Sequence, residues 1–154
     1  SEEVAQEIVD NPALFAQVFV GLFHSDPRIR MRVADALEKA SAQNPELLLP
    51  HKQALIEQAA LIPQQEVQWH VAQMFAYLDL CAEEQQRVIQ ILYGYLDTSA
   101  SNIVRVNVLQ TLAHIARDSA SLRQDIIATI QAEVMRGSPA VVTRGKKLLA
   151  QLTK

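Results

Sequence analysis

The sequence predicts an all-α fold: an α-α superhelix of about four stacked helical hairpins preceded by a short N-terminal helix. Three observations predict it. An apolar face of helical period recurs four times at nearly constant spacing, and each recurrence begins just after a helix-starting residue. The 154-residue chain is also 49% hydrophobic with only 5% aromatic residues and 4 glycines. Helix layers about 8 to 10 Å apart are filled by Leu, Ile, Val and Ala rather than by large rings, so the low aromatic content fits stacked hairpins. A chain of this length buries roughly two thirds of its unfolded surface, enough for one domain spanning residues 1–154.

Residues 1–10 are predicted to form the N-terminal helix, with Val4 and Ile8 facing inward. The hairpins follow at about 11–44, 45–80, 81–119 and 120–154. In the second helix of each, one apolar residue is followed by others four, seven or eight, and eleven positions on, which is one face of a 3.6-residue helix. The sets are Ile29, Val33, Leu37, Ala40; Val67, Val71, Phe75, Leu78; Val104, Val108, Leu112, Ile115; and Val141, Gly145, Leu149, Leu152. The first member of each set serves as an anchor, and successive anchors are 38, 37 and 37 residues apart.

Three residues before the anchors stand Asp26, Gln64, Ser101 and Ser138, with Pro27 and Pro139 next in the first and last units. Asp and Ser oxygens accept from orphan N–H groups of a first turn, and proline's missing donor costs nothing at the first helical position. Eleven before the anchors lie Val18, Ile56, Tyr93 and Ile130, the marks of a first helix in each hairpin. Breaks are expected at His24 to Pro27, Pro63-Gln64, Thr98 to Ser101 and Gly137 to Pro139, with Gln43 to Pro45 parting the first two hairpins. Five past the anchor stand Ala34, Ala72 and Leu109, but Lys146 in the last unit, as a terminal cap requires.

These residues resemble the HEAT repeat family, within the wider armadillo-like superhelices. The resemblance runs from about Asn11 to Leu152 and rests on an apolar-Arg pair followed by apolar pairs: Ile29-Arg30, Val33-Ala34, Ala36-Leu37, and Val104-Arg105, Val108-Leu109, Thr111-Leu112. It implies a fold rather than an activity. The chain departs from the pattern at Gln68 and Val142 in place of the arginine, and at His24, Ile62, Ser99 and Arg136 in place of the turn aspartate.

No catalytic motif is present, and the chain reads as a non-enzyme. His24, His51, His70 and His114 lack partners at metal-binding spacing, and Gly21, Gly94, Gly137 and Gly145 form no phosphate loop, so no metal or cofactor is expected. Cys81 is the single cysteine, which excludes a disulfide framework; it is expected to be a small buried residue in a cytoplasmic protein. No apolar stretch approaches the ~20 residues that span a bilayer, and Ser1-Glu2-Glu3 does not begin like a signal peptide.

Positions two, three, six and ten past the anchor lie at about 200°, 300°, 240° and 280° around the helix, away from the apolar face near 40°. The +2 row reads Met31, Trp69, Val106, Thr143; the +3 row reads Arg32, His70, Asn107, Arg144; the +10 row reads Lys39, Tyr77, His114, Gln151. In the family this chain resembles, such rows line the inner curve. Met31, Arg32, Trp69, His70, Tyr77, Val106, Asn107, His114 and Arg144 are therefore the candidate partner-binding residues, an apolar row flanked by polar ones for a peptide or helix. The competing expectation is that Trp69 packs between neighbouring second helices. Two other functions are weighed against a protein-binding scaffold. One is self-association through apolar rows. The other is DNA binding or repair, since alkylpurine DNA glycosylases share the HEAT-like architecture; the net charge of −3 argues against phosphate binding.

Overall fold

The computed structural model describes residues 2–154. All its regular structure is helical: α1 (Glu2–Asp10), α2 (Ala13–Phe19), α3 (Pro27–Gln43), α4 (Lys52–Glu57), α5 (Gln65–Phe75), α6 (Ala82–Thr98), α7 (Asn102–Arg117), α8 (Ala120–Arg136) and α9 (Pro139–Leu152), with short 3₁₀ segments at Val20–Phe23, Pro45–His51 and Ala59–Leu61. Among the described residues, no helix is long and apolar enough to cross a membrane.

Helix starts follow the side chains at their boundaries. The Asp26 carboxylate accepts from the Arg28 N–H, the Ser101 hydroxyl from the Val104 N–H and the Ser138 hydroxyl from the Val141 N–H. Pro27 and Pro139 fill first-turn positions that need no donor. Gln64 makes no such cap and turns its amide to a neighbouring helix instead. The first helix of the second hairpin is divided into the 3₁₀ segment Pro45–His51, α4 and the 3₁₀ turn Ala59–Leu61. Pro50 accounts for the first division, because it has no N–H for a continuous α-helical ladder.

The chain forms two compact units, one ending at Cys81 and one spanning Ala82–Lys154. In the first unit, α3 is central: α1, α2, the turn Val20–Phe23, the segment Pro45–His51 and α5 all pack on it. Leu22, Leu37, Leu48, Leu55, Met74 and Phe75 fill its core. In the second unit, α7 packs on α6, α8 and α9, and α8 on α9, around Leu92, Leu109, Leu112 and Ile126.

The expected apolar faces are largely inside. Val67, Val104 and Val141 are each 0% exposed, but Ile29 is 37% exposed. The buried face of α3 is instead Ala34, Ala36, Leu37, Ala40 and Ser41. In α1, Ala5 and Ile8 are buried while Val4 stays exposed: the inward stripe is a three-residue step starting at Ala5. Ala34, Ala72 and Leu109 are buried and Lys146 is exposed. Cys81, expected inside, is exposed, because it lies on the short link before α6 rather than on a packed face.

Candidate functional site

The arginine that follows the anchor has one job in both units. Arg30 donates to the carbonyls of His24 at 2.8 Å and Ser25 at 3.2 Å. Arg105 donates to the carbonyls of Leu96 at 2.7 Å and Ser99 at 2.9 Å. His24 and Ser99 both stand five residues before their anchors, so each guanidinium satisfies carbonyls left open at the hairpin turn. Arg30 also donates to Gln64 Oε1 at 2.7 Å, and Arg105 to the Glu133 carboxylate.

Neighbouring second helices meet in a shared register. In the first unit, Gln64 Nε2 donates to the Pro27 carbonyl at 2.8 Å, His70 Nε2 lies 3.4 Å from Asp35 Oδ1, and the Tyr77 hydroxyl donates to Glu38 Oε1 at 2.7 Å. In the second unit, the Ser138 hydroxyl donates to Asn102 Oδ1 at 2.8 Å, Arg144 Nη1 to Gln110 Oε1 at 2.6 Å, and Arg117 Nη2 to Gln151 Oε1 at 3.0 Å. Counted from the anchors, position −3 of the later helix meets −2 of the earlier one, and +3 meets +6, in both units. Both numbers rise together, so α5 runs parallel to α3 and α9 parallel to α7.

This register relocates several of the candidate binding residues. His70 is 7% exposed and sits in the seam between α3 and α5 rather than on an open row, because +3 faces the preceding helix. Arg144 is half-buried in the equivalent seam, and half-buried Tyr77 is tied to Glu38. Burial and that carboxylate push the Tyr77 phenol well above its ordinary value. Met31 is exposed, Arg32 and His114 are exposed, and Trp69, Val106 and Asn107 are half-buried. Asn107 turns its amide back to the Ile103 carbonyl at 2.9 Å.

Trp69 and His70 are brought together, with ring centroids 5.4 Å apart. His70 Nδ1 is 2.6 Å from the Glu66 carbonyl, which only accepts, so Nδ1 carries the proton. Nε2 lies 3.3 Å from the Trp69 indole nitrogen and 3.4 Å from Asp35 Oδ1. Asp35 holds Lys39 at 3.1 Å through its other oxygen. Among the described residues, no group of three or more His, Cys, Asp or Glu side chains is placed to hold a metal ion.

Two features escaped the reading of the sequence. One is the role of the +6 position, where Asp35 and Gln110 act as seam acceptors; the recurrence of Asp35, Gln73 and Gln110 at that position is visible in the sequence. The other is a groove of about 540 Å³ between α1, α2 and the first half of α3, lined by apolar side chains together with Gln17 and Arg32. No period announces it, because it lies between helices distant in sequence. Against known proteins, the chain matches no family model, no curated protein and no solved structure.

Proposed function

We propose that the chain is a non-enzymatic protein-interaction module built from HEAT-like hairpins, holding a peptide or helix of a partner on the face of its second helices. The observation that carries this reading is the shared seam register of the two units. It supports a true repeat, and it separates residues that hold helices together from residues left over for a partner. His70, Tyr77 and Arg144 belong to the first group. Met31 and Trp69, on the +2 row of the first unit, take no part in the seam hydrogen bonds and keep apolar surface exposed or half-exposed. An apolar anchor beside polar groups is the usual composition of a binding patch.

The test compares proteins captured from lysate by the wild type and by the Met31→Glu, Trp69→Ala double variant, each with an unchanged far-ultraviolet circular dichroism spectrum. A partner retained by the wild type and lost by the variant is expected. Identical sets would overturn the assignment of this row.

A further inference from the structure

His51 ends the 3₁₀ segment Pro45–His51, and its half-buried ring lies against two phenylalanines of α2. It stacks on Phe19, with ring centroids 4.6 Å apart and planes at 29°, and tilts onto Phe15 at 5.2 Å. Both phenylalanines are buried, at 2% exposed for Phe15 and 5% for Phe19. Among the described residues, neither ring nitrogen of His51 has a hydrogen-bond partner. Beside the ring runs an apolar groove of about 460 Å³, between Pro12, Ala13 and Ala16 on the side of α2 and Leu47 and Pro50 on the side of the 3₁₀ segment.

We propose that His51 is an acid-released latch: its neutral ring holds the segment Pro45–His51 against α2, and protonation loosens that contact and opens the groove onto Phe15 and Phe19. A neutral imidazole asks for one donor and one acceptor bond, whereas an imidazolium carries two donors and a charge that the aromatic contact keeps partly from water. The charged ring keeps an attraction to the phenyl faces, but the neutral ring keeps the stack without dehydrating a charge. Nothing around the ring compensates. α2 and the turn Val20–Phe23 carry no titratable side chain, and none of the charged side chains of α3 lines the groove. Glu46 lines it, while α4 contributes Lys52, whose Nζ donates to the Asp79 carbonyl at 3.2 Å, and Glu57. Burial lowers the pKa of His51, and no charge acts on it beside that. The latch therefore holds fully above the unfolded value of about 6.5 and weakens as pH falls through it toward the lower folded value. The segment is suited to yield. Its 3₁₀ hydrogen bonds are poorer than those of an α-helix, and Pro45 and Pro50 supply no donors, so its place depends on packing against its neighbours.

The test uses the full chain in two measurements from about pH 8 down to about pH 5. Nuclear magnetic resonance of the histidine Cε1 positions follows His51, and amide hydrogen exchange follows residues 13–19 and 46–51. His51 should titrate below about 6.5. Protection of those amides, corrected for intrinsic exchange, should fall by about tenfold for each pH unit of that lowering, while α7 amides keep theirs. His51→Phe, which keeps a ring in the stack and cannot titrate, should abolish the fall, and Glu46→Gln should leave it in place. Titration of His51 at or above the ordinary value, or an equal fall in His51→Phe, overturns the proposal. If His51→Phe does not fold, the wild type decides alone, since protection independent of pH overturns it as well.

Discussion

Glu133 is 1% exposed, and its carboxylate is shared by two guanidiniums, Arg105 and, at 2.8 Å, Arg136. Burial alone would raise its pKa, but the hydrogen bonds from Arg136 and Arg105 outweigh it and hold the carboxyl below its ordinary value. The folded state therefore favours the ionised form. Its contribution to stability is fully present above the unfolded-chain value of about 4.3 and is lost as pH falls through the lower folded value. Glu133→Gln should cost on the order of 3 kcal/mol at neutral pH, because it leaves Arg105 without its charged partner. It should also flatten the acid side of the stability curve. Urea midpoints measured from pH 7 downward check this, and parallel curves for variant and wild type would refute it. Nothing in the residue spacing singles out Glu133. Its importance comes from the fold placing it beside the arginine that also closes the α6–α7 turn.

At the scale of the element, two glycines in helix interiors separate propensity from packing. A Cβ at Gly145 of α9 would stand 2.5 Å from Val134 Cγ2 of α8, whereas a Cβ at Gly94 of α6 meets nothing within 4 Å. Alanine is favoured over glycine in a helix by about 1 kcal/mol. Gly94→Ala should gain up to that amount. Gly145→Ala should lose about 1 to 3 kcal/mol from overcrowding, which exceeds the propensity gain because Val134 is β-branched and stiff. Thermal melts of the two single variants should therefore move in opposite directions. Helix boundaries are the part of the fold most legible in advance: Asp26, Ser101 and Ser138 mark starts that backbone N–H groups require, whatever the tertiary context. Burial within α3 was less legible. Ile29 fits the apolar period yet is 37% exposed, because the period of one helix does not say which neighbour covers it.

For the whole molecule, charge and the use of arginine bear on nucleic acid. The net charge is −3, and Arg30 and Arg105 are spent on their own hairpin turns, Arg144 on Gln110. A fluorescent DNA duplex titrated with the chain at low salt should show no binding. Tight binding that weakens steeply with added salt would favour the nucleic-acid reading over the interaction module.

The candidate site was partly legible. The rows of Met31, Trp69 and Val106, and of Arg32, His70 and Arg144, follow from helical period alone. Which row faces a neighbouring helix does not, since the period gives an angle around one axis and carries no information on where the next axis lies. The sequence by itself determined the all-helical character, the buried anchors Val67, Val104 and Val141 and the capped starts at Asp26, Ser101 and Ser138, because these depend on backbone hydrogen bonding and on residues a turn apart. Only the tertiary structure decided that His70 lies in a seam, that Glu133 is buried between arginines, and that Arg32 borders an open groove. Those outcomes depend on the lengths and approach of helices distant in sequence, which no local pattern encodes.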